Sequence, residues 1–562
     1  MRRFIPQRDV DIDEVLLDAV NVSALNQQRL EGKMELPLAR RNVYFVAGVF
    51  GLIAIGFLYQ LFTLQVVAGA EHRAVSENNS VREDVIIAER GVIFDRHGEL
   101  VVWNEEDYGD LYDFPVRAYT DRLGMGQLLG YVSYPQKDRQ GFYFRTEYVG
   151  RNGVESSYNE QLAGTNGQRL IEVDAHGDRL TEYAVESPQA GAPLTLSIDA
   201  ELSEAMYQII ATSTAQSGSR SGAGAIMDIT TGEIIALTSF PSYDPEVMAD
   251  GDDRELIAQY NQDERFPFLN KVVAGAYTPG SIVKPFVAYA ALAENIISPD
   301  TTIVSTGEIV IPNPYTPSQP SIFRDWRAHG VMDMREAIAF SSNVYFYIIG
   351  GGFQDQAGLG ITKMSEYMKR FGFGDTTDIV LANEQTGTLP TPAWKAEVFD
   401  DDWRLGDTYF TSIGQYGWQT TPLQMLVAYA ALGNGGKLFT PHLQKDTVGE
   451  YVELNLDPDA LAVVAEGMHM TTNYPGGTAR SLERADVAIA AKSGTAELDF
   501  AKARLNTWAA GYWPYEEPRY AFIMLMENAP YENRLGGTTV MGKVFDWMAE
   551  YRPAYIAPQS EE

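Results

Sequence analysis

A chain of 562 residues exceeds what one ordinary hydrophobic core holds, so two or more folded units are expected. Its 76 acidic side chains outnumber 43 basic ones, a net charge of −33 that argues against nucleic acid as a partner, because phosphate binding needs concentrated Lys and Arg. The absence of cysteine removes disulfides, thiolate metal sites and Cys nucleophiles, and the six scattered histidines have no paired metal-binding spacing, so no metal or other cofactor is expected.

Residues 1–41 read as a charged, mobile cytoplasmic tail, with "DVDIDEVLLDAV" able to form a small partner-binding helix. From Asn42 to Ala70 the chain carries no charge, and a transmembrane helix is expected over 42–68. A secretory signal is the competing reading, with Ala68-Gly69-Ala70 resembling a cleavage site. The leader would be far too long and its apolar run well beyond the usual span of about 7–15 residues. Arg29, Lys33, Arg40 and Arg41 precede the span and Arg73 and Arg82 follow it, which puts the N-terminus in the cytoplasm and the rest outside, in a single-pass bacterial plasma-membrane topology.

Residues 69–193 read as a small strand-rich, membrane-proximal domain. "REDVIIAERGVIFDRHGELVVWN" gives strands broken at Arg90-Gly91 and by a turn at Asp95–Gly98, and Gly150–Leu180 shows little helix pattern. "ESPQAGAP" (Glu186–Pro193) is a linker by its Pro, Gly and Ser content. Residues 194–562 form the larger domain. A helix starts after Asp199, a hairpin turns at Thr230–Glu233, and a second strand pair flanks Pro514–Pro518. Between the strand pairs lie helices, among them "TPLQMLVAYAALGNGG", with Thr421 as N-cap, Pro422 at the first helical position and Gly433 beyond the end. This order defines an α+β fold with an antiparallel sheet to which both ends of the domain contribute neighbouring strands.

Three short motifs carry candidate chemistry. Ser281-x-x-Lys284 is followed by Pro285, which is harmless only near a helix start, so Ser281 sits at or beside an N-terminus with Lys284 one turn along. On its own this could equally be a capped core helix with a snorkelling lysine. Ser341-Ser342-Asn343 lies between a helix and the aromatic-rich "VYFYIIGGG", where polar side chains need partners or face a cleft. Lys492-Ser493-Gly494-Thr495 ends the alternating "DVAIAA", so a strand should present it. Gly494 there permits close backbone approach, and the hydroxyls and the Lys charge suit a carboxylate.

Together and in this order the motifs resemble the signature of penicillin-binding proteins and serine β-lactamases. The chain is similar to class B penicillin-binding proteins, and most to the elongation-type penicillin-binding protein 2 group. That likeness runs through "RGVIFDRHGE", "GVESSYNEQLAGTNGQ", "IMDITTGEIIALTSFPSYDP", "YTPGSIVKP", "SSNVYFY", "GDTYFTSIGQYGWQTTPLQM", "PGGTA" and "AKSGTAE". Three departures stand out. Ser493 replaces the commoner Thr, the membrane-proximal domain is short between Asn104 and Asp121, and no Glu-x-x-x-Asn separates the second and third motifs.

The resemblance implies a penicillin-binding/serine β-lactamase-like transpeptidase domain and a peptidoglycan D,D-transpeptidase acting in cell-wall elongation. Its substrates would be stem peptides on peptidoglycan or lipid-linked precursor strands, with β-lactams as covalent inhibitors and a SEDS-family membrane glycosyltransferase as partner. It implies that Ser281 is the nucleophile and Lys284 its base, acting directly or through Ser341. Lys492 would be the second cation that depresses the Lys284 pKa. Asn343 would hold the substrate amide, Ser493, Gly494, Thr495 and Lys492 the terminal carboxylate, and the backbone N–H groups of Ser281 and Thr495 the oxyanion. A carboxypeptidase, a slow β-lactamase and a non-turnover sensor share the same acylation chemistry and stay open.

Overall fold

The computed structural model describes residues 40–73, 81–106, 112–139, 141–173, 179–313, 316, 318–499, 503–532 and 535–556. The tail with its candidate helix therefore lies outside the described residues. The chain divides into two compact units, one of residues 1–82 with 171–181, the other of 83–170 with 182–562.

The first unit contains helix α1 (Arg40–Phe62), which continues as a wider π turn through Thr63–Val67. Its 28 residues rise about 42 Å, enough for the roughly 30 Å hydrocarbon layer, and their side chains stay unburied by the protein.

The second unit holds the motifs. Helix α2 (Ala200–Ser217) is capped as its sequence requires, with Asp199 accepting from the Leu202 amide at 2.9 Å. The hairpin strands β1 (Ser221–Asp228) and β2 (Ile234–Phe240) follow. A short 3₁₀ turn, Gly280–Val283, leads into α3 (Lys284–Ala293), and α4 (Met334–Ala339) precedes α5 (Asn343–Gly351). Helix α6 (Pro422–Gly433) carries the expected Thr421–Gln424 capping box. It ends one residue later than its sequence suggests, since Gly433 is still helical and the left-handed turn falls on Gly435 and Gly436. Then come α7 (Pro458–Asn473), β3 (Ala490–Glu497), β4 (Arg504–Trp513), β5 (Tyr520–Pro530) and α8 (Gly537–Tyr551).

The five strands form one antiparallel sheet in the order β2-β1-β5-β4-β3, so the first strand of the sheet in chain order pairs with the last, with Ala225 opposite Ile523. Both faces are covered, and side chains sort between them with a period of two. Ile523 and Leu525 join the core that includes α3 and α6, while Phe522, Met524 and Met526 join the core beneath α2 and α8. Burying α3 on all sides is what fixes the serine turn at its head, and β3 is left as an edge strand beside it.

Upstream, Ile93–Phe94, Leu100–Glu105 and Val116–Tyr119 form an antiparallel ladder, with Leu194–Thr195 added in parallel. Two short helices, Gly153–Ser157 and Asn159–Leu162, stand where the sequence shows little helix pattern, because four or five residues carry too little periodicity to read. Glu155 on the first is completely buried and bridges Arg90 Nε at 2.5 Å and Arg117 Nε at 2.7 Å. The 186–193 stretch is tied down by backbone bonds between Gln189 and Thr165 and from Gly191 N–H to Glu89 O.

Candidate active site

Ser281 sits in the 3₁₀ turn rather than on the α-helix, which begins only at Lys284. Gly280 makes the turn possible: its φ is +59°, and a Cβ there would lie 2.6 Å from the Thr495 carbonyl oxygen. Gly494 completes the close approach, since a Cβ on it would lie 2.8 Å from Ile282 and 3.0 Å from the Pro279 carbonyl. The first and third motifs are thus pressed backbone to backbone. A third glycine, Gly414, accepts the Gly280 N–H at 2.9 Å on the other side.

The second motif meets the first through one ammonium. Lys284 Nζ donates to Ser341 O at 2.7 Å, Asn343 Oδ1 at 2.8 Å and Ser341 Oγ at 3.3 Å. Ser341 reaches this position in the left-handed region, φ +56°, which costs a non-glycine residue about 1–2 kcal/mol and is held here by its surroundings. Ser342 caps α5, accepting from Tyr345 N at 3.3 Å and donating to Asp325 Oδ2 at 2.7 Å. The same Asp325 oxygen accepts from Val344 N at 3.0 Å. Hydrogen bonds from Ser342 and the α5 amides hold the Asp325 carboxyl below its usual range despite its burial.

Both lysines are fully buried. Burial brings Lys284 down from 10.5 to about 7, against a partial opposing pull from Asp325. Lys492 is also held well below the ordinary lysine range, by burial first and then by Lys284. The two amines share one dry site, so a proton on either disfavours a proton on the other. Lys492 Nζ donates to Ser493 O at 3.0 Å, and Ser493 Oγ donates to Thr478 Oγ1 at 2.7 Å. Thr478 N–H bonds back to Ala339 O at 3.2 Å, joining the third motif to the end of α4 just ahead of Ser341. Among the described residues no hydrogen bond holds the Ser281 hydroxyl, which is partly exposed.

All eight residues singled out from the sequence therefore border one locus. What the sequence did not single out is the support: Asp325 beneath the second motif, Thr478 behind the third, and Gly280 and Gly414 around the serine turn. Thr478 sits in the "PGGTA" stretch and Asp325 in "FRDWRAHG", and neither has a local spacing that announces its partner.

A serine on a turn, two buried lysines and an edge strand are the parts that acyl transfer through a serine requires. Residues 222–546 match the penicillin-binding protein transpeptidase domain and residues 110–196 the penicillin-binding protein dimerisation domain. The chain belongs to the penicillin-binding protein transpeptidase family. It is 33% identical to the peptidoglycan D,D-transpeptidase MrdA of Haemophilus influenzae over 74% of this chain and 68% of that one. Its fold matches Pseudomonas aeruginosa PBP2 in complex with WCK 5153, with a TM-score of 0.69 and 28% identity over 84% of this chain and 100% of the other. It also matches a chain from a structure titled for the coordination of polymerization and crosslinking by a peptidoglycan synthase complex, with a TM-score of 0.69 and 26% identity over 93% of this chain and 99% of that one. The activity is that of a peptidoglycan D,D-transpeptidase of the elongation type, as the sequence motifs implied.

Proposed function

We propose that Ser281 attacks the penultimate carbonyl of a stem peptide ending in D-Ala-D-Ala, expels D-alanine and holds the peptide as an acyl ester until a neighbouring amine takes it. The observation that carries this is the fully buried Lys284 with its pKa near 7. An ordinary lysine is neutral about once in 2,500 molecules at pH 7, whereas burial shifts this one strongly toward the neutral form that can accept the serine proton. Lys284 takes the proton directly or through Ser341, whose hydroxyl is 3.3 Å from the amine. Ser341→Ala separates the routes, a direct transfer losing only about tenfold or less and a relayed one far more.

Asn343 gives its carbonyl oxygen to Lys284, which leaves its amide N–H₂ for the substrate peptide. Lys492, Ser493, Gly494 and Thr495 take the terminal carboxylate along the free edge of β3, and the N–H groups of Ser281 and Thr495 face the oxyanion. A carboxylate beside Lys492 favours its charged form, and a charged Lys492 in turn favours neutral Lys284. Substrate thus arms the base as it binds.

The tail is cytoplasmic, α1 crosses the plasma membrane once and both the membrane-proximal and transpeptidase domains stand outside, a topology supported by the flanking basic residues. A SEDS-family glycosyltransferase is the partner that supplies strands, a reading supported by the likeness to a chain of a peptidoglycan synthase complex. Mass spectrometry after benzylpenicillin tests the core of this reading. The adduct is expected on the peptide carrying Ser281 and lost in Ser281→Ala, and an adduct elsewhere refutes it.

A further inference from the structure

Arg327 stands apart from its neighbours. Arg335 pairs with Glu466 at 2.5 Å, Arg324 with Glu308 at 3.4 Å, and Arg480 with Glu483. Arg327 has no carboxylate partner among the described residues. Its guanidinium lies 4.5 Å from the Trp326 ring centroid and 5.9 Å from that of Phe340, and its Nε donates to His329 Nδ1 at 3.3 Å. Among the described residues both Nη groups remain without a hydrogen-bond partner, and a guanidinium resting beside two aromatic rings can take a carboxylate with little ordering cost.

Its location gives the fork a use. Phe340 directly precedes Ser341 of the second motif and packs 6.0 Å from Tyr474. Tyr474 opens the loop that ends at Thr478, the partner of Ser493. Gly476 in that loop borders the same shelf, its Cβ position lying 3.4 Å from Phe340 Cε1 and 3.8 Å from Arg327 Nη2. Trp326 is 55% and Tyr474 40% exposed, so the shelf faces solvent where the loops of the second and third motifs meet.

We infer that Arg327, braced by Trp326 and Phe340, binds a second carboxylate of the donor peptide, upstream of its D-Ala-D-Ala end. This rests on the reading of Ser281 as the acylated residue. The arginine sets specificity and takes no part in bond making. A peptide with a free acid upstream gains a charge-assisted pair that its carboxamide analogue lacks, a discrimination of about tenfold or more.

The test uses the full-length chain in detergent and two synthetic peptides ending in D-Ala-D-Ala. They differ only in carrying an upstream carboxylate or the matching carboxamide. Acylation is read by competition against a fluorescent penicillin. Wild type is expected to favour the acid by about tenfold in kcat/KM. Arg327→Gln should bring the ratio to about one and Arg327→Lys should keep part of it, because a point charge survives without the fork. Penicillin acylation, which lacks that carboxylate, should stay within about twofold in all three proteins. A wild-type ratio of one, a ratio unchanged in Arg327→Gln, or a loss of penicillin acylation with the peptide ratio intact overturns the inference. Failure of penicillin to label Ser281 in the wild type instead strikes the proposed function.

Discussion

Two places in this molecule bury a pair of cations, and they do it in opposite ways. Beside the upstream strand ladder Arg90 and Arg117 share Glu155, at 2.5 and 2.7 Å, with all three side chains fully inaccessible. At the serine turn Lys284 and Lys492 are equally inaccessible, yet among the described residues their hydrogen bonds go only to neutral oxygens: Ser341 O and Oγ, Asn343 Oδ1 and Ser493 O. Arginine keeps its charge wherever it is placed, so burying it demands an anion, and the result is a rigid strut. Lysine without an anion gives up its proton, and the result is a base. Residue type and partner together decide whether a buried cation holds the fold or does chemistry.

Substitutions sharpen that contrast. Lys284→Met swaps a buried amine for an apolar chain of similar length, so thermal stability should hold or rise slightly while acylation by benzylpenicillin falls about 10³-fold or more. Glu155→Gln should do the reverse. Stranding two buried guanidinium groups costs about 3–5 kcal/mol, visible as a lower unfolding temperature, with acylation per folded molecule unchanged. If Glu155→Gln slows acylation at a temperature where the protein is folded, the strut and the base are not the separate devices described here. The smallest effect belongs to Thr478→Val, which removes the 2.7 Å bond to Ser493. Stopped-flow acylation should slow by a few-fold, about what one neutral hydrogen bond is worth, with Lys284 titrating as before.

Much of this was legible in advance because it is local. The hairpin at Thr230–Glu233, the caps at Asp199 and Thr421 and the three motifs each fit within a few residues, where periodicity and side-chain chemistry speak directly. The site's supports did not, because they are pairings across long stretches of chain. Asp325 reaches Ser342 and Val344 at the head of a helix seventeen or more residues on. Arg90 finds Glu155 sixty-five residues away. Only the form of the turn was hidden: the sequence places Ser281 at or beside a helix start, and the left-handed Gly280 makes that start a 3₁₀ segment against Thr495.

Everything turns on an amine whose charge burial disfavours and which, among the described residues, pairs with no carboxylate. The second-order rate of Ser281 acylation by benzylpenicillin, followed from pH 5 to 9 on the wild-type protein, measures that property directly. Below the Lys284 pKa of about 7 the protonated amine cannot accept the serine proton, so the rate should fall about tenfold per pH unit on the acid side and level off above it. A profile flat across that range, or one still climbing past pH 9, would contradict the account.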